Sequence, residues 1–271
     1  MRKLYDIAFA EGTHNKATET LYYRSSSFVT KDDSGINVLR PYETYDFFTY
    51  FNALSIDKWV TYTNAEKIRL VIDFQGEFNL VIYGGYIRNN GVQKELIEKK
   101  RVIGSTREKR KFELPCEGNS SVIGFLIETY EETFIYDCYY ECDIKEEFVS
   151  EPEVALVTTT YNKQSYIKKN VEVLKKDIFN RKPYSEHFKW NIIDNGQNLE
   201  LINAPDQITI IPNPNIGGAG GFSRGIVESL RQDRDYSFIL LMDDDVVISP
   251  ESIKRLYVFL SMLKPQYSDF S

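Results

Sequence analysis

Residues 237–253 read SFILLMDDDVVISPESI. A short apolar run, Phe238 to Met242, stops at Asp243, Asp244 and Asp245. A short apolar run with a sharp polar boundary predicts a buried β-strand. Ser249 then stands as an N-cap with Pro250 at the first helical position, and Ile253, Leu256, Leu260 and Leu263 recur at helical spacing. A strand therefore feeds a helix through three adjacent carboxylates. Those carboxylates repel one another, so the turn needs either open solvent or a bound cation.

The same alternation extends upstream. VALVTT (154–159) predicts a buried strand, and residues 163–179 predict a helix with Ile167, Val171, Leu174 and Ile178 inward. KWNIID (189–194) and QITII (207–211) predict strands. AGGFSRGIVESLRQ (219–232) predicts a helix whose apolar side holds Phe222, Ile226 and Leu230. Strand alternating with helix predicts an α/β unit on a largely parallel sheet, over residues 151–271. In such sheets ligands bind outside the carboxyl ends of the strands. Four polar or glycine-rich strand ends converge there: Thr158-Thr159-Thr160-Tyr161-Asn162, Asp194-Asn195-Gly196, the segment Asn213 to Gly221, and Asp243-Asp244-Asp245.

Two of these ends suggest chemistry, each beside a plainer reading. IGGAGG (216–221) opens a helix, where backbone N–H groups can approach an anion. It lacks the Lys-Ser/Thr of a P-loop, and tight helix packing is the plainer reading. Carboxylates at a strand end beside a diphosphate can hold a divalent cation that neutralises a leaving group. A solvated acidic turn before a helix N-terminus is the plainer alternative.

Residues 1–150 read differently. In IRLVIDF, Ile68, Leu70, Ile72 and Phe74 alternate with Arg69, Val71 and Asp73, a period-two strand with one apolar exception. Residues 121–144 predict a hairpin turning at Glu131-Glu132. Short strands at this spacing predict an antiparallel, jelly-roll-like β-sandwich. FVSEPEVA (148–155) is the predicted junction. Trp59 and the tyrosines (Tyr42, Tyr45, Tyr50, Tyr136, Tyr139, Tyr140) fit core and cross-strand pairs better than sugar stacking. The basic residues Lys99, Lys100, Arg101, Arg107, Lys109, Arg110 and Lys111 fit a solvated strand face better than an anionic membrane contact. Cys138 and Cys142 would share a strand face roughly 13 Å apart at ~3.3 Å per residue, too far for a disulfide.

Composition narrows the classes. The 271 residues carry a formal charge of −7, which argues against a nucleic-acid partner. Three cysteines and two histidines, His14 and His187, supply neither a disulfide framework nor a zinc pattern. The N-terminus lacks the apolar core of a signal peptide, and no run reaches ~18 apolar residues. A cytoplasmic protein is expected, with peripheral contact at the inner face of the cell membrane and homo-oligomerisation as further options.

VTTTYN, IIDNG, NIGGAGGFSRG and LLMDDDV together resemble family 2 glycosyltransferases of the GT-A fold. NxGGAGGF followed by DDD is similar to the galactofuranosyltransferase branch, whose polymerising members carry a β-sandwich before the GT-A domain. The resemblance implies a UDP-sugar donor, galactofuranose in that branch, a glycan or glycolipid acceptor, and Mn²⁺ or Mg²⁺. It implies that Thr160, Tyr161, Asn162, Asp194, Asn215, Gly217, Gly218 and Asp243 line the nucleotide, Asp194 at the uracil N3–H. Gly220, Gly221 and Asp244 would meet the donor or acceptor sugar. Asp245, with Asp243, would hold the metal. Arg224 would reach an anion or pair on its own helix. The resemblance also places an acceptor-side sheet and the catalytic base of an inverting transfer beyond Ser271, so residues 151–271 would be the donor-binding part of an incomplete GT-A domain. A glycan-binding or assembly module without catalysis is the alternative, and a sugar nucleotidyltransferase a lesser one.

Overall fold

The computed structural model describes residues 1–9, 19–88, 91–118 and 120–267; His14 and Asp269 lie outside the described residues. The chain divides into two compact units, Met1–Val149 with Met262–Ser271, and Ser150–Ser261. The last residues cluster with the first unit because backbone bonds tie them there. Asn64 N–H donates to Met262 O, and Lys264 N–H donates to Tyr62 O.

The first unit is built on two long antiparallel strands, β5 (Glu66–Arg88) and β6 (Gly91–Glu113). β7 (Val122–Thr129) and β8 (Thr133–Asp143) lie along the other edge of β5, β8 on its first half and β7 on its second. The predicted hairpin at Glu131-Glu132 is therefore wrong. β7 and β8 follow one another along one partner, and the two glutamates mark a corner, not a reversal. Gly76 sits at that corner with φ +133°, and a Cβ there would lie 2.6 Å from the Thr133 hydroxyl. Both registers of β5 slip beside it. Bulges of this kind bend a strand and raise its twist.

The bend folds one continuous sheet into two leaves. β1 (Arg2–Asp6) and β3 (Asn37–Leu39) pair with β8, and β2 (Thr30–Lys31) pairs with β3. β4 (Thr44–Asp46) pairs with β7 in the other leaf. Period-two alternation sends Ile68, Leu70, Ile72, Phe74, Phe78, Leu80 and Ile82 inward, all essentially inaccessible. An aromatic edge joins the leaves, Phe125 of β7 meeting Tyr140 of β8 at 6.5 Å, and Phe47 stacks on Phe125 at 5.0 Å within one leaf. Tyr45, Tyr140 and Trp59 of α1 (Ile56–Tyr62) are buried, whereas Tyr42 and Tyr50 stand exposed. Cys138 and Cys142 are free and buried on one face of β8; desolvation raises both thiols, Cys142 to about 12.

The second unit is a four-stranded parallel sheet in the order β11-β10-β9-β12. Its strands are β9 (Val154–Thr160), β10 (Phe188–Asp194), β11 (Ile208–Pro212) and β12 (Phe238–Asp243). α2 (Gln164–Leu174) runs on through a π-helical turn, Lys175–Phe179, and a short α3 (Tyr184–His187) precedes β10. α2 and α5 (Pro250–Leu260) cover one face, where Ile167, Val171, Leu174 and Ile178 meet Leu156, Trp190, Ile192, Ile253 and Tyr257. α4 (Gly217–Leu230) covers the other.

α4 corrects the predicted buried face. Gly221, Gly225 and Ser229 are buried, while Leu230 is 70% exposed. A Cβ at Gly225 would lie 2.2 Å from Val157 Cγ1, and one at Gly221 would lie 2.2 Å from Thr159 Cγ2. The helix approaches β9 so closely that only a stripe of small residues fits. Asn191 Nδ2 donates to Ser229 Oγ at 2.9 Å, a buried polar contact that fixes the rotation of the helix.

Candidate functional site

The strand order places the chain's return between β9 and β12. The path runs outward from β9 to β10 and β11, then crosses back to β12. A parallel sheet opens its ligand crevice at such a switch point, at the carboxyl ends. The register aligns those ends. Thr160 pairs with Asp194, Asp194 with Pro212, and Asp243 with Thr159. Four strand ends thus share one edge of the sheet.

Side-chain amides stitch the loops that follow. Asn198 Nδ2 donates to Asn162 Oδ1 at 2.8 Å, Asn213 Nδ2 to Asn195 Oδ1 at 2.7 Å, and Asn195 Nδ2 to Gly217 O at 3.3 Å. Asn162 holds the left-handed conformation, φ +58°, which asparagine tolerates. Asn195 and Asn213 lie in the predicted strand ends but were given no role there, and Asn198 was not singled out. Their signal was present as an excess of asparagine around three strand ends, and asparagine bonds loop backbone readily.

Asp194 is 2% exposed, and its carboxylate accepts three backbone N–H bonds, from Gly196 at 3.0 Å and from Asn198 and Leu199 at 2.7 Å. In this structure it shapes the loop after β10. Thr160 is buried with its hydroxyl unpartnered, and Tyr161 beside it is 53% exposed. Asn215 Oδ1 accepts from Gly217 N–H at 3.3 Å at the start of α4. The glycines divide by use. Gly221 is filled by Thr159 and Gly220 by Ile216, whereas Gly217, at φ +79°, and Gly218 face open space. Arg224 pairs with Glu228 at 2.9 Å one turn along α4, the on-helix alternative.

The aspartates sit at the rim. Asp243 and Asp245 are exposed and Asp244 is half-buried. Lys163, the residue preceding α2, lies 3.6 Å from Asp245. Asn170 of α2, 4% exposed, donates to Val246 O at 2.9 Å and anchors the turn from behind. Among the described residues no three His, Cys, Asp or Glu side chains gather as metal ligands. Carboxylate oxygens nonetheless suit Mg²⁺ or Mn²⁺, which usually take one or two from protein and complete their shell with phosphate and water. The donor set fits such an ion in company with a phosphate ligand.

The fold and this edge define a doubly wound α/β unit with an open crevice at its switch point. Residues 195–268 match the family described as Glycosyltransferase like family 2, so the second unit resembles a family 2 glycosyltransferase. The chain is 48% identical over 50 residues to galactofuranosyltransferase GlfT2 of Mycolicibacterium smegmatis, and 44% over 50 residues to GlfT2 of Mycobacterium tuberculosis. Each match covers 18% of this chain and 8% of the relative, so the chain spans less than a tenth of those relatives' length. Among solved structures, the C-terminal family 22 carbohydrate binding module of Clostridium thermocellum Xyn10B aligns with a TM-score of 0.32 and 10% identity, over 53% of this chain and 96% of that one. Among the described residues no helix is long and apolar enough to cross a membrane.

Proposed function

We propose that residues 151–271 form the donor-binding part of an inverting glycosyltransferase that moves a sugar, galactofuranose, from a UDP carrier to a cell-surface or cell-wall glycan or glycolipid. The observation that carries this reading is Asp243-Asp244-Asp245 at the β9/β12 switch point, in a segment that resembles family 2 glycosyltransferases. In it Thr160, Tyr161, Asn162 and Asn215 line the nucleotide, and the open backbone at Gly217 and Gly218 faces the diphosphate. Asp194 reaches the uracil only through an oxygen that already accepts an amide, so its contribution is mainly to hold the loop. Asp243 and Asp245 hold Mn²⁺ or Mg²⁺, which when bound offsets charge on the departing UDP. Asp244 turns toward a sugar. A base that deprotonates the acceptor hydroxyl is not among these residues.

Calorimetric titration of UDP into the chain, with and without Mn²⁺, tests the reading. Metal-dependent binding that disappears in Asp245→Ala is the expected result. A folded protein that ignores UDP at every metal concentration would overturn it.

A further inference from the structure

Lys163 is the one cation that the described contacts bring to the aspartate turn, 3.6 Å from Asp245. Both partners stand on anchored backbone. The Lys163 carbonyl accepts the N–H groups of Tyr166 and Ile167 in the first turn of α2. The turn beyond Asp245 is held to the same helix by Asn170, through Val246 O. α2 therefore grips the aspartate turn at two points, one polar and made by a buried side chain, the other ionic and open to solvent. The polar contact fixes geometry. The open one can exchange, because both side chains are about half exposed, 43% for Lys163 and 53% for Asp245. The Lys163 ammonium also lies 5.2 Å from the Tyr166 ring, a second resting place for it on the same helix.

We propose that Lys163 is the resident counter-ion of the aspartate turn, that a divalent cation displaces it from Asp245, and that the freed ammonium then pairs with the ligand's diphosphate. The proposal rests on the metal-dependent nucleotide reading above. Its physics is charge bookkeeping at one locus. Without a ligand, a lysine beside Asp245 opposes a second cation there. With a nucleoside diphosphate present, the same charge is attracted to phosphate oxygens, and opposition becomes support. Lys163 thus makes metal and diphosphate bind better together than either does alone, a coupling between two ligands that must be reciprocal.

The test compares Lys163→Met, which keeps the apolar stem, with Lys168→Met. Lys168 is exposed and lies five residues on, about 140° round the helix. It removes the same formal charge from a face turned away from the clasp. Mn²⁺ binding is read by electron paramagnetic resonance and UDP binding by calorimetry, on the full chain. The expected pattern is opposite in sign: Lys163→Met binds Mn²⁺ about two- to fivefold more tightly without nucleotide, and binds UDP about two- to fivefold more weakly in saturating Mn²⁺, the range of an exposed ion pair. Lys168→Met changes neither. Equal shifts in both variants would reduce the effect to net charge and overturn the proposal. So would no shift in Lys163→Met while the wild type binds Mn²⁺ and UDP, and the site reading would survive. If the wild type binds neither ligand, the site reading falls first and this proposal with it.

Discussion

The two units treat their carboxylates in opposite ways. On the outer face of the first unit, Asp73 and Glu141 are nearly buried, yet each faces two cations. Arg107 forks onto Asp73 with two bonds of 2.9 Å, with Lys109 at 3.7 Å. Lys111 meets Glu141 at 2.7 Å and Arg69 lies at 3.8 Å. Arg107 and Lys109 also sit over the rings of Tyr136 and Tyr139. Most of the basic run of β6 is therefore paired within the unit: Lys99 meets Glu128 and Arg101 meets Glu77. At the rim of the second unit, three adjacent aspartates have one lysine beside them among the described contacts, and it meets Asp245. Charge closed within a sheet face serves the fold. Charge left open where a parallel sheet divides is available to a ligand.

That contrast breaks first at the packed face of the second unit, where the stripe under α4 has no spare volume. Gly225→Val is expected to cost about 2–3 kcal/mol, since the new methyls would enter the space of Val157 and Ile193. Urea denaturation measures it. A cost below about 0.5 kcal/mol would mean that α4 is free to lift off β9.

A smaller loss is expected from Asp73→Asn. The Arg107 guanidinium, then burial acting against it, sets the Asp73 carboxyl below its ordinary value. A depressed folded value makes the pair's contribution present at neutral pH, down to the unfolded carboxylate near ~3.9, and lost as pH falls through the folded value. The variant should be about 1 kcal/mol less stable at pH 7, discounted for the exposure of Arg107, and should converge on the wild type in acid. A deficit that persists unchanged at low pH would assign the effect to packing instead of charge.

How far the sequence foretold this structure follows the same division. Period two in IRLVIDF and the helical spacing of Ile167, Val171, Leu174 and Ile178 were legible because burial on one face writes itself into apolar spacing. The corner at Gly76 was not. Glu131-Glu132 look like a hairpin turn, and only the partner strand shows that the chain continues forward past them. α4 misled for a related reason: its sheet contact is made by Gly221, Gly225 and Ser229, residues that carry no hydrophobic signal. The convergence of the four strand ends was legible from the fold rule, as were the aspartates and the open glycines. The amide network and the grip of Lys163 and Asn170 on the aspartate turn were not, because they join residues 36, 82 and 76 positions apart that no local pattern connects.

The smallest expected effect separates the two roles of charge most directly. If the aspartate turn were structural in the manner of Asp73, removing any of its charges would cost stability. Asp243→Asn removes repulsion from its neighbours and leaves the Lys163 pair in place, so it should raise stability by a few tenths of a kcal/mol at low salt. Asp245→Asn removes the same kind of repulsion together with the Lys163 attraction, so its two terms oppose and its net effect should lie nearer zero. The gap between the two variants should close as salt screens exposed charges, within a Debye length of about 10 Å at 0.1 M. Thermal melts of both variants at low and high ionic strength read this difference without any ligand. A loss of more than about 1 kcal/mol in Asp243→Asn, insensitive to salt, would place these carboxylates with Asp73 as part of the fold. A salt-dependent gain would mean that the chain carries them at a cost to its own stability, as sites kept for a ligand do.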